Sequence, residues 1–488
     1  MIRHPASFGV AFLGIAVTMS AQAGEVETKD VSFLIEYVER NYAGFSTKLN
    51  EHNRGQYTRI TGRLREQASN FAEAEIAGPI RDWLDFFRDH HLTLESSRPS
   101  TANAADPRES TAVERLPTPW TAESLRAQLE SSGSQDSLEG IWSIAGSGSR
   151  VAILRQPLVG ALEGSIIETR ATGWEPGDIK LRLTRSDGGL IHVNYWPADR
   201  RMVESTAVQQ CGGNLLSLSA PPDVRLVREW PKPDVPFDVD RVVPSREFFV
   251  RRVSPTTLWA RFPDFLYKNA AAVADLLESH RGMIESTPNL IIDIRNNGGG
   301  DDNVYRGLLA LTYTRPIYKI GVEYLATEQN IQAWERWLEI RDRLSPESKR
   351  SVKTFIAKMR SNVGSFVGWG DRPFSIERFE SVMATPRRIG ILIDHAKSSG
   401  EQFVIEARQS RKTTLFGRCG SDGVLDFANV RSVPLPSGRF ILHYPTSRSL
   451  RLPDEPVDPT GIGPDIRIPE SEEDDIRFAQ EWLERQAD

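Results

Sequence analysis

The sequence predicts a multidomain α/β protein, with a mostly parallel sheet preceded by a helical segment and a small all-β module. Three observations predict this architecture. Apolar residues recur at helical spacing over residues 26–94, and short β-type segments separated by glycine turns occur between Ile141 and Trp196. From about Phe248 onward, β-branched runs alternate with helical patterns, which is typical of a parallel sheet covered by helices. The 488 residues suffice for several domains.

Composition narrows the class of protein. The chain is 39% hydrophobic and 26% charged, which is ordinary for a globular protein. Its 60 basic and 66 acidic residues are scattered along the chain, so neither a nucleic acid nor an anionic membrane is indicated as a partner. Cys211 and Cys419 are far apart, and two cysteines predict neither a disulfide pairing nor a zinc site.

The N-terminus has the pattern of an export signal. Arg3 precedes an apolar stretch over residues 8–17, and Ala21-Gln22-Ala23 fits an A-x-A cleavage site. We therefore expect cleavage after Ala23 and a periplasmic or secreted protein. No later apolar run is long enough for a membrane helix, so no integral membrane segment is expected after cleavage.

The predicted domains follow changes of pattern along the chain. After the signal peptide at 1–23, a helical region with a linker occupies 24–118, and a small antiparallel β-rich module occupies 119–225. A proline-rich linker is predicted at 226–245 and an α/β core at 246–470, interrupted by a helical insertion at about 323–385. An acidic tail ends the chain at 471–488. Tryptophans of the insertion either pack against the core or line a cleft, and packing is the more ordinary outcome.

The most informative stretch reads NLIIDIRNNGGGDDN, over residues 289–303. Its β-branched run predicts a buried strand, and its three glycines predict a turn with exposed N–H groups at the carboxyl edge of the sheet. Asp301 and Asp302 are predicted to cap the next helix. Ligands of open α/β sheets bind at this edge, so the amides could hold an anion or a developing oxyanion. The glycines fit a purely geometric role equally well.

A second buried strand, over residues 389–393, precedes Ser398 at the predicted start of a helix. A serine at such a junction is exposed at the positive end of the helix dipole, as a nucleophile requires. However, Ser398 and Glu401 also fit a capping box, in which the hydroxyl only satisfies an N–H group. The spacing of the histidines does not choose a base among His90, His91 and His395.

These residues resemble the tail-specific, or C-terminal processing, serine proteases, in the branch related to the tricorn core and to interphotoreceptor retinoid-binding protein. Residues 89–91, DHH, resemble its D-x-H element, which implies His91 as the catalytic base. IIDIRNNGGG resembles the strand and turn of its oxyanion hole, and residues 398–403, SSGEQF, resemble its S-A-x-E-x-F element. The resemblance implies Ser398 as nucleophile, oxyanion donors among Gly299, Gly300 and Ser399, and a crotonase-like ββα core.

A fourth element, residues 458–465, resembles the family's E-G-x-G-V-x-P-D. Asp458 stands where the family has a glutamate that orients the active-site groups, and a proline-glycine surface turn explains this segment equally well. The Ser/Lys branch has a lysine downstream of the serine, whereas this chain reads GRCGSDG over 417–423. A Ser–Lys dyad is therefore not expected, and no PDZ-like segment is evident.

The resemblance implies an exported serine peptidase that cleaves extended or unfolded peptides through an acyl-enzyme, without a metal or organic cofactor. Two alternatives stay open. The first is an inactive protein of the same fold that binds peptides or apolar ligands, and the second is a hydrolase of non-peptide esters that uses the same serine. The oligomeric state is not predicted.

Overall fold

The computed structural model describes residues 26, 28–68, 76–97, 114–132, 136–145, 147–155, 161–185, 191–198, 200, 202–210, 213–218, 224–232, 241, 244–340, 344–469 and 471–486. The chain divides into two compact units, residues 1–100, 245–469 and 476–488 in one and residues 101–244 and 470–475 in the other. The predicted signal peptide and Cys211 lie outside the described residues. No helix among those described has the length and apolarity to cross a membrane.

The first unit begins with four helices and a short strand: α1 (28–41), α2 (Phe45–Lys48), α3 (Arg54–Gln67), α4 (Ala77–Asp85) and β1 (Thr93–Ser96). The apolar spacing that predicted α4 is explained by its buried face, formed by Ile80, Trp83 and Leu84. These side chains belong to an apolar core of the N-terminal helices. His91 lies in the connection between α4 and β1.

The second unit is an eight-stranded closed barrel preceded by a helix. Its elements are α5 (Ala122–Ser132), β2 (Gly140–Ile144), β3 (Ser149–Arg155), β4 (Leu162–Glu168), β5 (Ile179–Arg185), β6 (Ile191–Tyr195), β7 (Val203–Gln210), β8 (Leu215–Leu218) and β9 (Val224–Trp230). Strands β7 and β8 lie in sequence that gave no strand prediction. Strand β9 ends at Trp230, within the stretch predicted as a proline-rich linker.

The chain then returns to the first unit with β10 (Phe249–Ser254), β11 (Thr257–Arg261), a 3₁₀ turn (Tyr267–Asn269), α6 (Ala270–Ser279), α7 (Arg281–Glu285), β12 (Asn289–Asp293) and α8 (Arg306–Thr312). The insertion contains β13 (Ile317–Ile320), β14 (Val322–Leu325), α9 (Glu328–Glu339), α10 (Pro346–Arg360), β15 (Phe366–Gly368) and β16 (Phe374–Glu377). The last part contains β17 (Arg388–Leu392), α11 (Ser399–Ala407), β18 (Thr413–Gly417), β19 (Phe427–Ala428), β20 (Arg431–Pro434), β21 (Phe440–Tyr444), β22 (Ser447–Ser449), β23 (Ile466–Arg467) and α12 (Asp475–Arg485).

A six-stranded sheet forms the centre of the first unit, in the order β10-β11-β12-β17-β18-β23. All its pairings are parallel except that of β10 with β11. This confirms the predicted mixed α/β, multidomain fold, and every residue of β12 is buried, as its apolar run predicted. Asp293 and Leu392, the last residues of β12 and β17, pair directly. The turns that follow these two strands therefore start side by side.

Residues 93–96 bring the N-terminal helices to the C-terminal part of this unit. Strand β1 pairs antiparallel with β21, which also pairs with β20, and Leu94 lies opposite Leu442. Both leucines are buried in the core of the N-terminal helices. The position of His91 is thus set by strand pairing with residues far away in sequence.

Candidate active site

Two turns meet at the carboxyl edge of the central sheet. The Asn296 N–H donates to the Asp394 carbonyl at 2.8 Å, and the Lys397 N–H donates to the Asn297 carbonyl at 2.9 Å. A Cβ atom on Gly299 would lie 2.8 Å from Cβ of Ser398, and Gly299 has a φ of 86°. The predicted glycine turn and the predicted serine turn are therefore packed against each other without room for a side chain at position 299.

A buried ion pair fixes the start of the glycine turn. The Arg295 guanidinium donates to both carboxylate oxygens of Asp293, at 2.9 and 2.7 Å, and neither side chain is exposed. Burial alone would raise the pKa of Asp293, but the guanidinium groups of Arg295 and Arg261 outweigh it and hold that pKa below its usual value. This pair restricts the backbone where strand β12 ends.

Ser398 is the N-cap of α11, with the unusual backbone angle φ of 52°. It forms the predicted capping box with Glu401, whose Oε2 accepts from the Ser398 N–H at 3.1 Å. A left-handed conformation is costly for a residue with a side chain and is found where neighbouring structure enforces it. The capping box therefore does not exclude the predicted nucleophilic role of Ser398, because the same turn holds the hydroxyl at the helix N-terminus.

Glu401 was predicted only as a capping partner, but its carboxyl also binds a second segment. Its Oε1 accepts from the Ser421 hydroxyl at 2.7 Å and the Gly423 N–H at 2.8 Å, and its Oε2 accepts from the Val424 N–H at 2.8 Å as well as from Ser398. Burial raises the pKa of Glu401, while these hydrogen bonds oppose the increase. One buried carboxyl thus ties residues 421–424 to the serine turn.

The predicted oxyanion donors differ in availability. Gly299 is not free, because its N–H donates to Oδ1 of Asn297 at 2.8 Å, in a side-chain turn that the sequence analysis did not foresee. The N–H groups of Gly300 and Ser399 have no acceptor among the described residues. Ser399 contributes the first N–H of α11, where helix geometry leaves donors unsatisfied. The two free donors are therefore Gly300 and Ser399.

His91 is oriented by one carbonyl. Its Nδ1 lies 2.6 Å from the Phe427 carbonyl oxygen, so Nδ1 carries the proton in the neutral ring and Nε2 is the basic atom. The backbone N–H of His91 donates to one carboxylate oxygen of Asp89, and the other oxygen accepts from the Tyr42 hydroxyl at 2.6 Å. This tautomer is the one that a general base requires. His90, the neighbouring residue, is exposed.

A single segment connects His91 with Ser398. Residues Ser421 to Val424 are bound by Glu401, and Phe427, three residues later, holds the His91 ring. Three residues span at most about 11 Å. The described hydrogen bonds do not include one between the His91 ring and the Ser398 hydroxyl, so the two groups belong to one hydrogen-bonded assembly without direct contact.

Asp458 acts on this segment and not on the His91 ring. Its Oδ1 accepts from the N–H groups of Leu425 and Asp426 at 2.6 and 2.9 Å. In return, Oδ2 of Asp426 accepts from Val457 and Asp458 at 2.6 and 2.9 Å. Burial, together with the charges of Asp426 and Asp89, raises the pKa of Asp458 to about 7. The expected orientation of the imidazole by Asp458 is therefore indirect, through the backbone that carries the Phe427 carbonyl.

His395 is directed elsewhere. Its Nδ1 lies 2.8 Å from Asp422, and its Nε2 lies 3.6 Å from Sγ of Cys419. Lys397 also pairs with Asp422, at 3.1 Å. Burial and the adjacent Asp394 carboxylate raise the pKa of the Cys419 thiol to about 11, so this exposed thiol stays protonated. Both ring nitrogens of His395 are thus engaged away from Ser398.

Comparisons with known proteins identify a family match and similar folds. Residues 259–468 match the model of peptidase family S41. The crystal structure of mature CPAF is similar over 95% of this chain and 96% of its own, with 14% identity and a TM-score of 0.51. Mature CPAF complexed with lactacystin has the same identity and TM-score over 95% and 98%. At such identity the likeness is one of fold.

A further structure, the photosystem II D1 C-terminal processing protease, aligns with 14% identity and a TM-score of 0.37, over 93% of this chain and 97% of its own. No curated protein matches the chain.

Proposed function

We infer from the match of residues 259–468 to the model of peptidase family S41 that the chain is a serine-type peptidase, and we propose that Ser398 and His91 are its catalytic pair and that it cleaves extended or unfolded peptides. We further propose that it acts after export, in the periplasm or outside the cell, with residues 1–23 as its signal peptide.

The proposed reaction is acyl transfer. Oγ of Ser398 attacks the peptide carbonyl while Nε2 of His91 takes the hydroxyl proton, and the imidazolium then protonates the leaving amine. Water hydrolyses the resulting acyl-enzyme by the same steps. The N–H groups of Gly300 and Ser399 would donate to the oxyanion of the tetrahedral intermediate. Asp458 would keep the Phe427 carbonyl in place, so that Nδ1 of His91 retains its proton.

The observation that carries the proposal is the hydrogen bond from Nδ1 of His91 to the Phe427 carbonyl. It leaves Nε2 as the basic atom, and it ties His91 to the segment that Glu401 binds beside Ser398. Binding of substrate would close the remaining distance, since catalytic hydrogen bonds are often long in unliganded enzymes. Extended peptides are the expected substrates because a sheet edge binds a backbone and not a folded surface.

A fluorophosphonate probe tests these assignments directly. It should label the wild-type protein on the peptide that contains Ser398, as identified by mass spectrometry. Labelling should be lost in Ser398→Ala and fall by about 10²-fold or more in His91→Ala, which lacks the base. Cleavage of unfolded casein should be lost in the same two variants.

Two neighbouring residues provide controls. Ser399→Ala retains its N–H donor and the Ser398 hydroxyl, and His90→Ala removes an exposed imidazole from the adjacent position. Both variants should still be labelled at Ser398. Label on Ser399, or equal labelling of the His91 and His90 variants, would contradict the assigned roles. Labelling at Ser398 with cleavage of esters but not of unfolded protein would indicate an ester hydrolase.

A further inference from the structure

A cavity of about 990 Å³ lies beside the serine turn. Asp302, which follows Gly300 by two residues, and Gln402, whose N–H donates to the Ser398 carbonyl at 2.9 Å, both line it. The remaining wall comes mainly from the insertion, through residues 319–324 and 368–377. The cavity therefore adjoins both the glycine turn and the serine turn.

Asp302 does not cap a helix, contrary to the sequence prediction. Helix α8 begins at Arg306 with Tyr305 as its N-cap, and Asp301 instead accepts from the Asn303 N–H at 2.9 Å. The Asp302 carboxylate is open to the cavity, and no lysine or arginine nitrogen of the described residues lies within ion-pair distance of it. Among the described residues, the Asp302 carboxyl thus has hydroxyl partners, Ser399 and Tyr305, but no ion-pair partner.

The other carboxylates that line the cavity are already paired. The pairs are Glu323 with Arg448 at 2.7 Å, Glu377 with Arg306 at 2.8 Å, Glu406 with Lys319 at 3.1 Å, and Asp371 with Lys358 at 3.6 Å. Arg372 is exposed, between the fully exposed Asp371 and Pro373. Among the described carboxylates that line the cavity, Asp302 is therefore the one without an ion-pair partner.

Aromatic side chains form part of the wall. Trp369 stacks on Phe355 with ring centroids 4.5 Å apart, and Phe374 packs against Tyr318 at 5.9 Å. Trp369 and Phe374 line the cavity and stay partly exposed, at 42% and 40%. A long aliphatic side chain with a cationic end matches such a site, because its stem contacts the rings while its charge reaches the carboxylate.

Resting on the proposed peptidase function, we propose that this cavity is a substrate subsite for a lysine or arginine side chain, with Asp302 as the residue that determines specificity. The peptide backbone would lie along the sheet edge, and its basic side chain would extend past Gln402 into the cavity. The substrate class is thus an unfolded polypeptide with a basic residue close to the cleaved bond.

Binding measurements on Ser398→Ala test the subsite without requiring turnover. The probes are two fluorescent unfolded peptides that differ in one residue, lysine or its uncharged N-acetyl form, scanned across successive positions. At one position the lysine peptide should bind about tenfold more tightly or better, since a hydrogen bond between an ammonium and a carboxylate is strong. Adding Asp302→Asn should bring the ratio of the two Kd values close to one.

Asp371→Asn, also in the Ser398→Ala background, is the matched control, because it removes another carboxylate of the same cavity. It should keep the preference for lysine. The proposal would be overturned if the preference for lysine survived Asp302→Asn or disappeared in Asp371→Asn. Equal binding of both peptides at every position, or tighter binding of a glutamate peptide through Arg372, would also overturn it. If the lysine peptide still bound more tightly but the wild-type protein cleaved no peptide, the proposed peptidase function would be contradicted and the subsite would not.

The pH dependence supplies a second readout. Removal from water raises the pKa of Asp302, and the charge of Asp301 raises it further. The hydroxyls of Ser399 and Tyr305 and the charge of Lys319 act in the opposite direction, but the pKa stays above its usual value. Only the ionised carboxylate attracts the cation. The lysine preference should therefore weaken as the pH falls, beginning at a higher pH than an ordinary carboxylate would give, and a preference independent of pH would count against Asp302.

Discussion

The serine half and the histidine half of the candidate site are held by different means. Ser398 follows a strand of the central sheet, and the Glu401 carboxyl accepts one hydrogen bond from Ser398 and three from residues 421–424. His91 follows a helix of the N-terminal region, and a four-residue strand together with one ring-to-carbonyl hydrogen bond determines its position. Local structure therefore determines the first half, whereas long-range pairing determines the second.

This difference teaches where the site can be perturbed. A change in the serine half should alter reactivity and folding together, because the same buried groups support the sheet edge. A change around His91 should act more weakly on the fold, since fewer contacts depend on it. The following variants test that contrast, beginning with the largest expected effect.

Glu401→Ala should be the most damaging substitution. It leaves four donors without this acceptor, and each of the three buried ones costs about 1–3 kcal/mol. We expect a loss of several kcal/mol in the free energy of unfolding, measured by urea denaturation, and no detectable fluorophosphonate labelling of Ser398. Glu401→Gln keeps one oxygen and should be intermediate in both measurements.

A buried carboxylate of the barrel provides the control. Asp178 is 1% exposed and binds Arg115 at 2.6 Å, so Asp178→Asn also disturbs a buried charge. It should destabilise the barrel while labelling at Ser398 continues. If Asp178→Asn abolished labelling as completely as Glu401→Ala, general destabilisation would explain both results, and the special role of Glu401 would be rejected.

Gly299→Ala should have the next largest effect. The added Cβ would lie 2.8 Å from Cβ of Ser398 and from the Lys397 carbonyl, at a φ of 86°. The left-handed conformation alone costs about 1–2 kcal/mol, and relief of the clash moves the serine. Labelling should slow by about tenfold or more. At Gly298 a Cβ meets nothing within 4 Å, so Gly298→Ala should retain labelling; equal rates for the two variants would contradict the close packing of the turns.

Much of the serine half could be predicted from the sequence. The β-branched runs at 290–294 and 389–393 became buried parallel strands within one residue of the expected bounds, since both faces of each strand are covered. The glycines after the first run do form a turn at the sheet edge. Sequence alone could not show that Asn297 occupies the Gly299 N–H, because an asparagine in a turn has several backbone donors within reach.

The histidine half and the cavity were less predictable. Nothing local indicates that residues 93–96, a short polar segment, pair with 440–443, and this pairing places His91. Asp302 resembled a helix cap because acidic residues favour the first turn, but the helix starts later and the side chain faces a cavity built by the distant insertion. Similarly, polar alternation in residues 203–210 concealed a barrel strand.

Asp458→Asn gives the smallest expected effect and tests the histidine half. The fold raises the pKa of Asp458 to about 7 from its ordinary 3.8 and so favours the protonated carboxyl. Its contribution to stability is therefore fully present below its ordinary value and is lost as the pH rises through about 7. The asparagine stays neutral and still accepts from Leu425 and Asp426 through Oδ1. Relative to wild type, the variant should gain about 2 °C in Tm between pH 5.5 and pH 8.

The control for this measurement is Asp454→Asn, which removes an exposed carboxylate from the same loop. It should shift Tm by the same amount at both pH values, because water solvates that side chain whether or not it is charged. Fluorophosphonate labelling of Asp458→Asn should stay within a few-fold of wild type, since the backbone that carries the Phe427 carbonyl keeps its acceptor. A Tm difference that does not change with pH would show that Asp458 is ionised throughout. Its charge would then act on His91 more directly than the hydrogen bonds indicate, and the contrast between the two halves of the site would disappear.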